Sequence, residues 1–193
     1  TGVYISNLVS WCDIDFYNKG SNPLLYAKHL YLGGEPVTNV LLAGDSIKSY
    51  TFCSCEDLVS IAIPKSVTMI GDYAFYNCIN LNSIELNTIE VAPWPKTMSN
   101  AYDRLPSVNI PANVVSIGEY AFYGCRSLIS VNIPNSITTI EKSSFEYCIK
   151  LDSIHLPNSL TSIGESAFSH CESLRSIKMP IQLTSIEYNA FWG

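Results

Sequence analysis

A pattern of apolar and polar positions recurs along the chain as Leu-x-Ser-Ile-x-Ile-Pro or a close variant. Successive copies are spaced by 23, 24, 23, 23 and 23 residues, and they begin at Leu58, Leu81, Leu105, Leu128, Leu151 and Leu174. A fixed period of this length is typical of a solenoid, in which each unit buries its apolar face only by stacking on its neighbours. The pattern therefore predicts a repeat protein whose function lies on a long repetitive surface rather than in a pocket.

Each unit combines a strand-like half with a second apolar set. In the unit that starts at Leu128, Val131 and Ile133 alternate with polar residues, and Pro134 ends the strand because it has no N–H to donate. The second set follows the spacing of one face of a short helix, at Ile137, Ile140, Phe145 and Cys148. We therefore predict a short strand and a short helix or turn in every repeat, with one Phe per repeat in a stacked column.

The repeat predicts a single solenoid domain over residues 1–193. Residues 1–57 are irregular, and their last part, from Val37 to Cys55, keeps the apolar spacing of a degenerate repeat with two residues missing. The Gly33-Gly34 pair predicts a turn between two strands, the second of them at 37–42. Regular repeats follow at 58–86 and 105–193. The last repeat is incomplete, which favours a piece of a longer array.

The stretch 87–104 interrupts the regular repeats. Asn87 replaces the proline that ends the strand, and Pro93-Trp94-Pro95 replaces the approach to the helix. Met98 and Ala101 stand at the Phe and Cys positions of the repeat. We expect the solenoid to continue through this stretch with a bulging loop.

Composition narrows the class of protein. The chain is 47% hydrophobic and 15% charged, so it can bury a sizeable core, and its apolar runs have only the length of strands. Direct membrane insertion is therefore not expected, and no targeting signal is visible in the sequence. The net charge of −6 and the lack of clustered Lys and Arg argue against a nucleic-acid partner.

The units at 58–80, 105–127 and 151–173 join the strand Leu-x-x-Ile-x-Ile-Pro to the segment Val-Thr-x-Ile-Gly-x-x-Ala-Phe-x-x-Cys, or a close variant of it. In this they resemble the BspA-like leucine-rich repeat family. The resemblance implies an α/β solenoid, a right-handed leucine-rich-repeat superhelix with repeats of about 23 residues. It also implies a surface or secreted protein of gut or oral anaerobic bacteria or of parasitic protozoa, often linked to adhesion, with no catalytic residues. Glu141 and Glu187 depart from the pattern, because other repeats have glycine there.

Five cysteines share one position of the repeat: Cys55, Cys78, Cys125, Cys148 and Cys171. A translational ladder points every sulfur the same way, whereas zinc sites need convergent ligands and disulfides need facing Cβ vectors. We interpret these cysteines as buried, reduced, small hydrophobic residues that bind no metal. A bridge between Cys12 and Cys53 stays open. The total of seven leaves at least one thiol unpaired in a monomer.

No catalytic constellation is apparent, and no cofactor is expected. His29, His155 and His170 lie far apart in sequence, and no Gly-x-Ser-x-Gly nucleophile context accompanies the many serines. The nearby carboxylates of Asp13 and Asp15 are more simply explained as a solvated face. We therefore do not expect an enzyme.

The outward positions of the strands form two rows along the predicted concave sheet. One row is a uniform serine row, from Ser60 to Ser176. The other varies from repeat to repeat, and its polar members are Glu85, Asn109, Asn132, His155 and Lys178. In one interpretation this variable row is simply solvated. In the other it is the recognition stripe, since solenoids bind extended partners along their concave surface.

Aromatic residues offer a rival surface on the helical side of the repeats. Tyrosines occupy non-core positions there, at Tyr73, Tyr76, Tyr120, Tyr123 and Tyr147. Exposed aromatic side chains anchor protein or sugar partners in many interfaces. Trp94, flanked by two prolines, is either a protruding hot spot or a cap on the core where the helix is missing.

The leading hypothesis is a non-enzymatic binding or adhesion module that engages a host or microbial surface protein or glycan through its concave strand face. The alternatives are a structural spacer that displays another domain, and a carbohydrate-binding module that uses surface aromatic residues. We expect an extracellular or cell-surface location and a monomer, with an end-to-end dimer through the open end at Phe191 as a further possibility.

Overall fold

A computed structural model of the chain describes residues 2–87, 107–110 and 112–193, and at 83–87 and 107–109 it describes the backbone alone. From residue 39 onward, short parallel strands stack repeat upon repeat, and their apolar side chains share one interior. The chain is a leucine-rich-repeat solenoid with the period that the sequence predicted.

The N-terminal segment has a small sheet and short helices of its own. Its elements are β1 (Val3–Ile5), α1 (Leu8–Cys12), a 3₁₀ turn (Lys19–Ser21), α2 (Leu24–Ala27), β2 (Leu30–Leu32) and β3 (Glu35–Pro36). β1 is parallel to β2, and β3 is antiparallel to β2 across the Gly33-Gly34 turn. Both glycines have positive φ, so the turn fell where it was predicted. The turn leads first into β3, and the strand predicted over 37–42 forms at Asn39–Leu41 as part of the repeat array.

The first strand of each repeat contributes to one parallel sheet, which we call the strand sheet. Its members are β4 (Asn39–Leu41), β6 (Ser60–Pro64), β8 (Ser83–Asn87), β9 (Ser107–Asn109), β11 (Ser130–Asn132) and β13 (Ser153–His155). Neighbouring strands are in register, so that Ser130 lies between Ser107 and Ser153. The strand expected at Ser176 and Lys178 does not form.

A second, two-residue strand follows in each repeat, and these strands form two short parallel sheets. One contains β5 (Ser46–Ile47), β7 (Met69–Ile70) and β10 (Ser116–Ile117), and the other contains β12 (Thr139–Ile140), β14 (Ser162–Ile163) and β15 (Ser185–Ile186). The two sheets are separate because β10 and β12 belong to different ladders. Glu141, which directly follows β12, is one of the two positions where glutamate replaces the glycine of other repeats. At Glu187 the pairing is intact, because its N–H donates to the Ile163 carbonyl. The substitution alone therefore does not explain the break.

The predicted Phe column forms the centre of the core. Consecutive rings are parallel within 17° and lie 5.2–5.8 Å apart between centroids, from Phe52 through Phe75, Phe122, Phe145 and Phe168 to Phe191. The first five rings are at most 2% exposed. Burial of each ring stabilises the fold by about 1.5–3 kcal/mol before entropy is counted, so this column is a major source of stability.

The helix predicted around each Phe is instead a series of turns. Tyr73 and Asn77 have φ values of 56° and 55°, which no α-helix contains. The N–H groups of Tyr73, Phe75 and Asn77 donate to carbonyls of a neighbouring repeat, at Glu119, Ala121 and Tyr123, rather than to their own repeat. Bonds between repeats therefore replace the hydrogen bonds that a helix would form within itself. We call this side of the solenoid the turn face.

The Phe column passes directly from the repeat at 58–80 to the repeat at 105–127. Phe75 stacks on Phe122 at 5.4 Å, and Ile70 of β7 pairs with Ile117 of β10. The strand sheet, in contrast, contains both β8 and β9 between β6 and β11. The expected bulging loop falls on residues 88–104, which lie outside the described residues. Met98, Ala101 and Trp94 lie outside the described residues.

The two ends of the solenoid differ in how the core is covered. At the N-terminal end the Trp11 indole N–H donates to the Thr51 carbonyl at 3.0 Å, and the Asn22 amide donates to the Tyr50 carbonyl at 2.6 Å. Trp11 and Asn22 are 5% and 0% exposed. These two side chains supply donors to the first repeat, where a preceding repeat would supply backbone N–H groups. In the last unit, by contrast, large apolar side chains are exposed, at Met179, Ile181, Ile186, Tyr188, Phe191 and Trp192.

Candidate binding surface

The register of the strand sheet aligns two outward rows across the repeats. The serine row runs from Asn39 through Ser60, Ser83, Ser107 and Ser130 to Ser153, and the variable row runs from Leu41 through Ala62, Glu85, Asn109 and Asn132 to His155. Strands of a sheet are spaced by roughly 4.8 Å, so each row advances by that distance per repeat. The structure thus brings Glu85, Asn109, Asn132 and His155 onto one line.

Not every member of the variable row is equally accessible. Asn132 and His155 are exposed, whereas Ala62 is only 3% exposed and Leu41 is 40% exposed. Lys178 is exposed but lies outside the strand sheet, and Trp94 falls outside the described residues. The proposed recognition stripe therefore has an apolar beginning at β4 and a polar continuation at β11 and β13. Whether these residues bind a partner stays a prediction.

The hydroxyl groups of the serine row differ in their bonding. Ser60 donates to the Asn39 side-chain oxygen at 2.5 Å. Ser130 and Ser153 make no side-chain hydrogen bond to any residue that the structure describes, although Ser153 is exposed and Ser130 half-buried. A hydroxyl group that has no protein partner retains a donor and two acceptor positions. Within the described residues, the hydroxyl groups of Ser130 and Ser153 thus keep these positions open.

On the turn face, the aromatic side chains stack on one another from repeat to repeat. Tyr73 stacks on Tyr50 at 5.0 Å and on Tyr120 at 4.7 Å, and Tyr76 stacks on Tyr123 at 4.8 Å. Face-to-face stacking turns the ring faces toward each other, so that neighbouring rings cover them. Sugars that bind aromatic residues pack against ring faces, so this arrangement disfavours the carbohydrate-binding alternative for these tyrosines.

The stack continues to the last unit through residues that the sequence interpretation did not connect. Tyr123 packs edge-on against Tyr147, Tyr147 stacks on His170 at 4.4 Å, and His170 meets Trp192 edge-on at 4.7 Å. The repeat pattern did not reveal this aromatic stack, because its members occupy two different positions relative to the Phe of their repeat. Trp192 is 60% exposed.

Tyr73 and Tyr123 of the turn face are poor acids. Burial, followed by the neighbouring Tyr120 and Tyr50, raises the pKa of Tyr73 to about 12. Burial and the nearby Tyr76 likewise raise the pKa of Tyr123 to about 12. Stacked phenols in this setting remain neutral at physiological pH and act as structural side chains rather than as proton-transfer groups.

The shared cysteine position is a hydrogen-bonded ladder. The thiols of Cys78, Cys125, Cys148 and Cys171 each contact the carbonyl of the Phe in the preceding stacked repeat, at 3.0–3.3 Å. Burial raises the pKa of every one of these thiols, to about 12 in the case of Cys171. The prediction of buried, reduced cysteines is confirmed, and Cys12 and Cys53 are also free rather than bridged.

Carboxylates line a groove of about 700 Å³ that the short sheet of β5, β7 and β10 forms with the N-terminal segment. Asp72, Glu119 and Glu141 lie along it, together with the exposed side chain of Met69. Burial, with Glu119, Asp72 and Glu187 nearby, raises the pKa of Glu141. Among the described residues, no group of three or more His, Cys, Asp and Glu side chains is arranged to hold a metal ion. The groove by itself indicates no particular chemistry.

Comparison with known proteins agrees with the repeat geometry. The family model for the BspA type leucine rich repeat region matches in six copies, over residues 44–92 and 96–193. The chain belongs to the BspA-type leucine-rich repeat family. No curated protein sequence matches the chain. Within the described part of the chain, no helix is long and apolar enough to cross a membrane.

Two solved structures of leucine-rich proteins resemble the chain in fold. A leucine rich cell surface protein of Faecalibacterium prausnitzii is 26% identical, with a TM-score of 0.57 over 80% of this chain and 44% of that one. A leucine-rich repeat protein of Eubacterium ventriosum is 25% identical, with a TM-score of 0.54 over 84% of this chain and 44% of that one. The chain thus spans less than half the length of these proteins.

Proposed function

We propose that this BspA-type chain is a non-enzymatic binding module of a cell-surface or secreted protein, and that its strand face binds an extended macromolecule. The observation that carries the proposal is the in-register pair of rows, one nearly uniform and one variable, along six parallel strands. A uniform row of small side chains allows close approach of a partner. The variable row then gives each repeat a different contact, which is how repeat proteins obtain specificity.

The location is proposed from the family and from its neighbours. BspA-type leucine-rich repeat proteins are typically surface or secreted proteins, and a similar solved structure is a cell surface protein. A monomer suffices for this function, because the two rows of one chain form the proposed site. Within the described residues, the contacts of the turn face are internal stacking contacts, which favours the strand face as the binding surface.

The test is a binding screen of the purified chain against extracellular-matrix proteins and glycans. A variant with Glu85→Lys, His155→Glu and Lys178→Glu changes the charge pattern along the variable row. We expect selective binding by the unmodified chain and a loss of at least tenfold in affinity in this variant, since unfavourable charge contacts suppress association.

A matched control variant carries Glu172→Lys, Thr138→Glu and Lys150→Glu, which alter the net charge by the same amount at exposed positions outside the two rows. Its binding should equal that of the unmodified chain. Equal loss in both variants would indicate a nonspecific charge effect and would contradict the strand-face site. Absence of binding throughout would favour the alternative of a structural spacer that displays another domain.

A further inference from the structure

We infer that the groove beside the short sheet of β5, β7 and β10 is a second docking surface, and that its occupant is an extended peptide segment with arginine or lysine side chains. The groove has a volume of about 700 Å³, within the range of roughly 300–1,000 Å³ that is usual for ligand sites. All of its lining residues belong to the described part of the chain. The groove uses neither row of the strand face, so this inference goes beyond the proposed function and does not depend on it.

The outer face of this short sheet has one apolar side chain in an otherwise hydroxylated row. Met69 lies in register between Ser46 and Ser116, and it is 47% exposed. The same position of the other short sheet is again a hydroxylated residue, at Thr139, Ser162 and Ser185. Met69 therefore exposes apolar surface where the repeat pattern has a hydroxyl group. Methionine is flexible and polarisable, and it is frequent on surfaces that adapt to different partners.

The charge of the groove is acidic, and most of it is uncompensated. Its charged lining residues are Asp15, Lys48, Asp72, Glu119 and Glu141. Lys48 is already paired with Asp15 at 2.9 Å, and its amino group also donates to the Asp13 carbonyl at 3.0 Å. Among the described residues, no Lys, Arg or His forms a salt bridge with Asp72, Glu119 or Glu141. These three carboxylates are therefore available to a cationic partner.

The three carboxylates also act on one another. Asp72 accepts the backbone N–H of Glu119 at 3.0 Å. Burial, followed by Glu119 and Asp72, raises the pKa of Glu141, so the like charges lie close enough to repel. A cation that enters the groove would replace this repulsion by attraction. Charge complementarity of this kind favours a basic partner and disfavours an acidic one.

A divalent metal ion is a poorer match for these charges than an organic cation. Within the described ranges, no three His, Cys, Asp or Glu side chains are arranged to hold a metal ion. Ca²⁺ needs six to eight oxygen ligands that converge to within about 2.6 Å. An arginine or lysine side chain instead bonds to one carboxylate at a time and lays its aliphatic stem on apolar surface. Met69 supplies such a surface in the same groove.

A peptide is favoured over a single small cation because the charges belong to different repeats. Asp72 follows β7, Glu119 follows β10 and Glu141 follows β12, so the three carboxylates come from three repeats that stack in sequence. One side chain cannot pair with all of them. A peptide that carries several cationic side chains can, and each further contact is gained at the high effective concentration that linkage provides.

The test titrates the purified chain into a fluorescein-labelled Arg-Gly-Arg-Gly-Arg-Gly peptide and follows fluorescence anisotropy. We expect binding at about 0.05 M sodium chloride and much weaker binding at about 0.5 M, because salt screens exposed charges. The matched ligand has citrulline in place of each arginine, which keeps the shape of the side chain and removes its charge. It should bind at least about tenfold more weakly.

The critical variant is Glu119→Gln with Glu141→Gln, which removes two charges from the groove with little change in size. We expect it to bind the arginine peptide about tenfold more weakly, as the loss of two exposed ion pairs implies. The control is Glu35→Gln with Glu172→Gln, which changes the net charge equally at exposed positions outside the groove. This control should bind as the unmodified chain does, and thermal unfolding of each variant checks that it is folded.

A third variant, Met69→Ser, tests the peptide against other cations. Serine occupies the same position in β5 and β10, so the fold should tolerate it. We expect about threefold weaker binding of the arginine peptide and no change in the binding of spermine, a flexible polyamine without a peptide backbone. If spermine binds as tightly as the peptide, and Met69→Ser affects neither, the groove recognises charge alone and the peptide assignment is wrong.

The remaining outcomes separate this inference from the proposed function. Absence of peptide binding, or an equal loss in the groove variant and its control, overturns the groove and leaves the strand-face screen unaffected. The strand-face variant with Glu85→Lys, His155→Glu and Lys178→Glu should bind the arginine peptide as the unmodified chain does. Loss of peptide binding in that variant but not in the groove variant would place the peptide on the strand face and contradict the inference.

Discussion

Each repeat contributes to both the strand face and the turn face of this solenoid, yet the side chains of the two faces differ in how many contacts they make within the protein. Around each Phe of the turn face, rings stack at 4.4–5.8 Å, thiols contact carbonyls, and backbone N–H groups bond across repeats. On the strand face, the outward side chains of Ser130 and Ser153 make no such contact with a described residue. The contrast indicates that these outward side chains contribute less to stability than the turn face and the core do.

The largest effect that we expect is a loss of folding stability at alkaline pH. Burial raises the pKa of the Cys55 and Cys171 thiols from 9.0 to about 12, and it also raises those of Cys78, Cys125 and Cys148. Above pH 9 the unfolded chain loses thiol protons that the folded chain keeps, so the unfolded state binds fewer protons and the free energy of unfolding falls as pH rises. Each buried thiol should contribute up to about 1.4 kcal/mol per pH unit in this window.

Urea unfolding under reducing conditions, from neutral pH upward, measures this dependence. The stability that these thiols contribute is fully present below pH 9 and is lost progressively toward about pH 12. The variant Cys171→Ala should show a dependence that is shallower by one thiol. A free energy of unfolding that stays constant through this range would contradict the burial of the cysteine ladder.

The next largest effect concerns the Phe column. Phe145 is fully buried between Phe122 and Phe168, at 5.2 and 5.5 Å. The substitution Phe145→Ala should lower the free energy of unfolding by about 3–5 kcal/mol, because it leaves a cavity in the core. Chemical denaturation measures the loss.

Phe191 provides the matched comparison within the same column. It is 36% exposed and stacks on Phe168 alone among the described rings. Phe191→Ala should therefore cost less than about 2 kcal/mol. Equal losses in the free energy of unfolding at the two positions would show that stacking on both sides of a ring adds no stability.

The smallest effect should come from the strand face. Asn132→Ala and His155→Ala remove exposed side chains that no described residue requires. The free energy of unfolding should change by no more than about 0.5 kcal/mol, the usual range for exposed surface substitutions. A larger loss in thermal or chemical unfolding would mean that the strand face also supports the fold, and the contrast between the two faces would be weaker than proposed.

Much of the interior could be predicted from the sequence because it depends on spacing alone. The Phe and Cys columns and the register of the serines follow from a period that places identical residues above one another, as at Phe122, Phe145 and Phe168. The turn conformation could not be predicted in this way. The same apolar spacing fits a helix or a turn, and what decides between them is hydrogen bonding between repeats at residues such as Tyr73 and Phe75.

Two other features depend on contacts that are remote in sequence. Phe75 and Phe122 are 47 positions apart, twice the repeat period, and their direct stacking could not be read from a local pattern. Trp11 and Asn22 lie in a segment without repeats, and their bonds to Thr51 and Tyr50 follow from no motif. The candidate rows, in contrast, were aligned correctly from β6 to β13, although the last predicted members, Ser176 and Lys178, lie outside the strand sheet. Their role still depends on the binding experiments.

The backbone N–H groups of the Phe residues all donate in one direction along the solenoid. In every stacked pair, N–H groups of the earlier repeat donate to carbonyls of the later one, as from Phe122 to Ser144 and from Phe145 to Ala167. Peptide dipoles aligned in this way add, as they do along a helix. The turn face therefore has a negative electrostatic pole at its N-terminal end, where indole and amide donors and the amino group of Lys48 lie nearby.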